Sequence, residues 1–145
     1  MAKLDSLRPF TFEFVFNSGN VQREDWSIVS FVGNDGWTFG VGTYSRYFIK
    51  VGSDVSYFTA KRESGIPTHL AVVVDGRNAS LYRNGNFVET IRLNGELLYG
   101  GAGKLSLGSR NGIRSALGSV ANLRFYASAL SAAQVKGLFD GVLSD

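Results

Sequence analysis

Phenol, indole and guanidinium groups crowd one short stretch of this sequence. Trp37, Tyr44, Tyr47, Phe48, Tyr57 and Phe58 fall within residues 37 to 58, with Arg46 and Lys50 among them. Aromatic faces beside hydrogen-bonding groups suit the C–H face of a sugar ring or the side chains of a protein partner. Alternate members of such a run must face inward if the run is strand, and Phe48 and Phe58 are the two expected in the core. The candidate ligand contacts here are Trp37, Tyr44, Arg46, Tyr47 and Tyr57. A second set, Arg110 and Arg114, brackets Asn111-Gly112 in a loop that could offer guanidinium groups to carboxylates or phosphates. The competing explanation for both arginines is a solvated loop.

Oxygen ligands for a metal are sparser. Asp35, Asp54, Asp75 and Asn78 sit in three turn-like segments and are the candidates for Ca²⁺. Each segment is also an ordinary turn composition, and no segment groups three carboxylates. The expectation is therefore no cofactor, with Ca²⁺ as the alternative. Hydrolysis of a glycosidic bond needs two carboxylates facing each other across a cleft. The acids are scattered singly apart from Glu24-Asp25, whose side chains would point to opposite faces of a strand. With no Cys and a single His, nucleophilic catalysis would have to run through His69. The expected role of His69 is structural: a partly buried imidazole hydrogen-bonding across a sheet. The chain is expected not to be an enzyme.

The elements that must position these groups are strands. Phe10, Phe12, Phe14 and Phe16 alternate with Thr11, Glu13 and Val15, the period-two pattern of a half-buried strand. Further strands are expected at 26–32, 37–43, 46–51, 55–60, 69–75, 79–83, 87–93, 104–109 and 119–126. The β-branched stretch 69–75 should be central. Asn84-Gly85 is a strong two-residue hairpin signal. One helix is expected near the C-terminus. Ser131 and Gln134 form a capping box, and Val135, Leu138 and Phe139 share a face. Leu130 should clamp the start by packing on Val135. The helix should close the edge or end of the fold.

Composition agrees with this reading and narrows function. The chain has 145 residues, 44% hydrophobic and 19% charged, with 11 Phe, 18 Gly and 2 Pro. That length suits one domain, 1–145, with enough core to fold without disulfide or metal. A net charge of +3, with no basic run longer than Lys61-Arg62, excludes a nucleic-acid partner as the working reading. No apolar run approaches a membrane span, and residues 1–9 lack a signal-peptide core.

The residues also resemble a known family. Thr68 to Gly76 reads T-H-L-A-V-V-V-D-G and Ala79 to Gly85 reads A-S-L-Y-R-N-G, similar to consecutive central strands of laminin G-like domains. Gly118 to Val135 resembles the family's closing strand and helix start, Lys104 to Gly108 its L-x-I-G strand, and Phe10 to Phe14 its opening strand. Two places depart: Ala121-Asn122 replaces a frequent acidic pair, and Pro67 replaces an aromatic. The resemblance implies an all-β, two-sheet antiparallel jelly-roll sandwich of the concanavalin A-like type. That fold hosts lectins, pentraxins, adhesion modules and glucanases, so fold alone does not choose. The Glu-x-Asp-x-x-Glu motif of its glucanases is missing here.

The favoured expectation is a non-catalytic recognition and assembly module. No signal peptide, no Cys and an initial Met suggest a chain made in the cytosol and mounted on a larger particle, such as a capsid decoration or tail adhesion protein of a virus or phage. The alternative is a lectin-like, Ca²⁺-dependent glycan binder, with a glucanase as the remote one. The expected partner is a protein of that assembly, a second copy of the chain, or a glycan.

Overall fold

The computed structural model describes residues 9–17, 26–32, 37–42, 45–51, 54–63, 66–93, 104–107 and 119–144; at 26–32, 37, 104–107, 119–120 and 142–144 it describes the backbone alone. The elements run β1 (Phe10–Asn17), β2 (Trp26–Val32), β3 (Trp37–Val41), β4 (Arg46–Val51), β5 (Asp54–Lys61), β6 (Thr68–Asp75), β7 (Asn78–Arg83), β8 (Asn86–Arg92), β9 (Lys104–Leu107), β10 (Ser119–Tyr126) and α1 (Ala132–Ser144). Among the described residues the strands form two five-stranded sheets. The first has the order β10-β1-β6-β7-β8 and the second β5-β4-β3-β2-β9. Every pairing is antiparallel. The jelly-roll sandwich expected from sequence is the fold, and β6 is its central strand.

The core between the sheets is built from the alternating phenylalanines. Phe10, Phe12, Phe14 and Phe16 of β1 are all buried, as are Leu70, Val72 and Val74 of β6. Phe39 of β3 meets Phe12 and Phe14 edge-on, at centroid distances of 5.8 and 5.9 Å. Phe58 of β5 meets the same ring at 6.4 Å. Such edge contacts add about 0.5–1.5 kcal/mol each beyond the area they bury. Polar face and apolar face must both be served by one strand, and β1 departs from expectation here. It is buried on both sides rather than half-buried, because the segment after β10 crosses its outer face. The Thr11 hydroxyl donates to the Ser128 carbonyl at 2.8 Å and accepts from the Leu130 amide at 3.1 Å.

The helix corrects the expectation in the same place. It does not close an edge or end of the sandwich but lies on the outer face of the first sheet. Val135 is buried against Ala71, Val73 and Tyr82, with Leu130 packed beside them as expected. Those sheet residues alternate with the Leu70, Val72 and Leu81 side chains that fill the core, so the apolar stripe of α1 covers a second apolar face. The capping box forms: the Ser131 amide donates to Gln134 Oε1 at 2.8 Å and the Gln134 amide to Ser131 Oγ at 3.2 Å. The hairpin at Asn84-Gly85 also forms, with φ of 51° and 81°, the left-handed pair a type I′ turn requires. Gly85 is further constrained from outside, since a Cβ there would stand 2.9 Å from Lys136 Cδ.

Smaller differences concern strand ends. β3 stops at Val41 rather than at residue 43. β5 is a full eight residues from Asp54, longer than the short strand expected. Near its C-terminal end it makes a contact invisible to local pattern. Glu89 of β8 reaches the edge of the second sheet and accepts from the Ala60 amide at 2.9 Å and from the Thr59 hydroxyl at 3.0 Å. One long side of the sandwich is thereby closed by a carboxylate satisfying an edge-strand amide.

Candidate ligand-binding face

The outer face of the second sheet carries the first group of interest. In β4 the residues alternate so that Tyr47 and Ile49 point to the core while Arg46, Phe48 and Lys50 point out. In β5 the outward partners are Tyr57 opposite Phe48, Val55 opposite Lys50 and Lys61 opposite Arg46. Tyr57 packs edge-on to Phe48 at 6.0 Å, and the Arg46 guanidinium carbon lies 4.6 Å from the Tyr57 ring centroid. That is a cation–π geometry. The floor beside it is glycine. A Cβ at Gly42 would stand 2.9 Å from Tyr57 Cε1 and 3.0 Å from Phe48 Cδ2. Only a residue without a side chain lets the two rings close over the strand end.

The sequence-derived candidates divide accordingly. Arg46 and Tyr57 are brought together on this face. Tyr47 is corrected: it is 1% exposed and stacks on Phe39 at 5.6 Å, so its ring is core, not surface. Phe48 is buried as expected, at 7% exposure, but against Tyr57 on the outer face rather than between the sheets, and a pairing irregularity between Arg46 and Phe48 accompanies that opposite phase. Burial pushes the Tyr47 hydroxyl far above its ordinary value. The backbone of Trp37 pairs with Val51 and Phe31 in the same sheet. Tyr44, Arg110 and Arg114 lie outside the described residues.

The metal candidates are dispersed. Asp54 begins β5, whereas Asp75 and Asn78 face each other across the β6–β7 turn in the other sheet. All three are exposed, and Asp35 lies outside the described residues. Among the described residues no three His, Asp or Glu side chains gather as a metal site.

A second polar group sits under the helix on the outer face of the first sheet. His69 Nε2 lies 2.8 Å from Glu13 Oε1, and both side chains are almost fully buried. The Tyr126 hydroxyl donates to the other Glu13 oxygen. Burial, then that hydrogen bond, raises the Tyr126 hydroxyl above its ordinary value. The His69 ring rests on Phe139 of α1 at 5.9 Å, and its main chain is held by Asn84, whose amide oxygen accepts from the His69 amide at 2.9 Å. His69 thus has the structural hydrogen bond expected of it. Glu13 and Tyr126 were missed as its partners. The available signal was an acid inside a run of phenylalanines, where an unpaired carboxylate would be prohibitive. Gly42 and Phe48 were missed because register, not composition, put them beside Arg46.

The architecture is a two-sheet antiparallel jelly roll with α1 on the outer face of one sheet and aromatic and cationic groups on the outer face of the other. Residues 2–136 match the concanavalin A-like lectin/glucanases superfamily, and the chain belongs to that family. Among solved structures it is similar to domain 4 of a GH43 extracellular arabinanase from Geobacillus stearothermophilus, in complex with arabinotriose, at 21% identity and TM-score 0.74, covering 94% of this chain and 68% of that one. A native heptameric SAP-like pentraxin from Limulus polyphemus is similar at 19% identity and TM-score 0.72, covering 92% of this chain and 70% of that one. The binding domain of Botulinum neurotoxin DC, in complex with rat synaptotagmin II, matches at 13% identity and TM-score 0.72, covering 96% of this chain but 37% of that one. These likenesses show a shared fold. No curated protein matches the chain. Among the described residues no helix is long and apolar enough to cross a membrane.

Proposed function

We propose that this chain is a non-catalytic recognition module that binds a carbohydrate on the outer face of its second sheet. The observation that carries the reading is the Arg46–Tyr57 stack beside Phe48 over Gly42. A guanidinium that stacks through its face keeps its N–H donors along its edge, where hydroxyl and carboxylate oxygens can meet them. The half-exposed Tyr57 ring, held by Phe48, supplies contact area with little entropy to lose. The arabinotriose complex of the arabinanase domain supports a sugar as ligand for this architecture.

The absence of catalysis is supported by how the described carboxylates are used. Glu13 is buried against His69 and Tyr126, and Glu89 holds β5. Glu63 lies 3.7 Å from Arg83 and Asp140 3.4 Å from Lys136. None forms a facing pair across a groove of the kind glycoside hydrolysis uses. A protein partner is the second reading, favoured by Phe87, 57% exposed and edge-on to Tyr82 at 5.6 Å.

A glycan array probed with the wild-type chain and with Tyr57→Ala decides the matter. Binding that is lost in Tyr57→Ala and kept in Phe87→Ala is expected. A wild-type chain that binds no glycan, with or without Ca²⁺, overturns the proposal.

A further inference from the structure

The helix α1 is weak by its own sequence. It runs 13 residues, and an isolated helix shorter than about 12–15 residues is marginal in water. Gly137 and Gly141 lie in its interior, and a Cβ at either would meet nothing within 4 Å. Packing therefore does not require these glycines, and each biases the helix–coil balance about fivefold against helix relative to alanine. No acidic side chain lies in the first turn and no basic one in the last, so the helix dipole has no charge partners there. The Lys136–Asp140 pair, at 3.4 Å, has its cation nearer the N-terminus, the less favourable order. The helix depends instead on the sheet beneath it. From 132 to 141 only Val135 is buried, against Ala71, Val73 and Tyr82, and Leu138 and Phe139 are half-buried. The cover is imperfect at one atom. His69 Nδ1 is buried with no hydrogen-bond partner among the described residues, and Phe139 rests on that ring. A buried polar nitrogen without a partner carries a cost that water would remove.

What surrounds the helix is held more firmly. The segment leading into it is fixed, because the buried Thr11 hydroxyl bonds both the Ser128 carbonyl and the Leu130 amide. Beneath the helix lies β6, the central strand, with Leu70, Val72 and Val74 locked in the core. An element with little buried apolar surface opens before the core strands it rests on. We infer that α1 is a strap that opens as a unit about Ser131 while the sandwich stays folded. Opening uncovers Ala71, Val73 and Tyr82 and gives water to His69 Nδ1. Phe87 lies edge-on to Tyr82 and is 57% exposed even when the strap is closed, so the uncovered face continues into it. One sheet face thus has two states, covered by the helix or apolar and open. The strap belongs to the first sheet, so the inference stands apart from the glycan reading on the second.

The chain has no cysteine, so a single introduced thiol reads the opening directly. Val72 and Val73 are adjacent on β6, the first packed in the core and the second under α1. Val72→Cys and Val73→Cys are made separately in the full chain and labelled with a thiol reagent at increasing urea. Val73→Cys is expected to label roughly tenfold or more faster than Val72→Cys, because local opening is more frequent than global unfolding. Its rate should depend weakly on urea, since opening the strap exposes little surface. Adding Gly137→Ala and Gly141→Ala should slow that labelling about fivefold for each glycine. The Val135 amide, bonded to the Ser131 carbonyl at 2.9 Å, should exchange its hydrogen faster than the amides of β6. Circular dichroism and thermal unfolding confirm that each variant is folded. Equal labelling of the two thiols, with the same urea dependence, means that α1 opens only with the whole fold and overturns the inference. Fast labelling of Val73→Cys that the two alanine substitutions leave unchanged means that the thiol is reached without helix opening, and overturns it as well.

Discussion

The two outer faces of this sandwich treat polar groups in opposite ways. On the first sheet, Glu13 and His69 are buried, His69 and the half-buried Tyr126 are each bonded to Glu13, and α1 and the segment before it cover Ala71, Val73 and Thr11. On the second sheet, Arg46, Lys50 and Tyr57 are left partly exposed, and Lys61 and Val55 more so. On that face Thr38 and Phe48 are buried while the cations keep partial exposure, and the contrast with the helix-covered face has a simple physical basis. The outward residues of β6 and β7 include Ala71, Val73 and Tyr82, apolar area that gains by being covered. The outward residues of β4 and β5 include three cations, whose desolvation beneath a helix would be costly. Burial of polar groups is therefore concentrated on the first sheet's outer face, and the exposed cations on the second's.

That contrast can be broken from either side. The largest effect is expected at the covered face. Glu13→Ala leaves the buried His69 without its hydrogen-bond partner and the half-buried Tyr126 hydroxyl without its acceptor, a loss of about 3–5 kcal/mol by urea denaturation. A variant as stable as wild type would show that the polar cluster is not structural. Next, Gly85→Ala places a Cβ at a left-handed residue, where φ is 81°, and should lose about 1–2 kcal/mol. It should do so partly by displacing Lys136 and Phe139, which a fluorine-labelled Phe139 would report.

The core between the faces gives a pH test. The folded chain keeps the proton of Tyr47 because burial raises its hydroxyl, while the unfolded chain releases it near the ordinary value of 10.0. The contribution is complete below pH about 10 and is lost as pH rises above it. The slope should be about 1.4 kcal/mol per pH unit, and Tyr47→Phe should flatten it. Thermal unfolding between pH 8 and about 12 measures this. Ser131→Ala removes the helix cap and should lose about 1 kcal/mol.

The smallest stability effect is expected on the outer face of the second sheet. Gly42→Ala meets side-chain atoms of Tyr57 and Phe48 that can move, so stability should change by less than about 1 kcal/mol. Its effect should appear in ligand affinity instead, by displacing the Tyr57 ring from Arg46. A loss of stability there as large as for Gly85→Ala would erase the distinction between the faces.

Much of the scaffold was legible before any coordinates. The alternating phenylalanines of β1, the β-branched β6, the Asn84-Gly85 turn and the Ser131–Gln134 cap are local signals, and each depends on neighbours within a few residues. The resemblance of 68–85 and 118–135 to laminin G-like strands supplied the architecture. The site was legible only in part. Arg46 and Tyr57 were identified by type, but Tyr47 was misplaced by one residue of register. A run such as Arg46–Tyr47–Phe48–Ile49 offers an apolar side chain to either face, so its own pattern does not fix its phase.

Local pattern set the kinds of element, their order and the C-terminal helix, because backbone preference and side-chain period are written within short windows. The tertiary structure decided which face α1 covers, that Glu13 finds His69 fifty-six residues away, that Glu89 closes the edge at Ala60, and that Arg46 lies over Tyr57. These contacts join residues whose spacing carries no period. They arise only when the sheets are paired and the phase of each strand is set by what the core accepts.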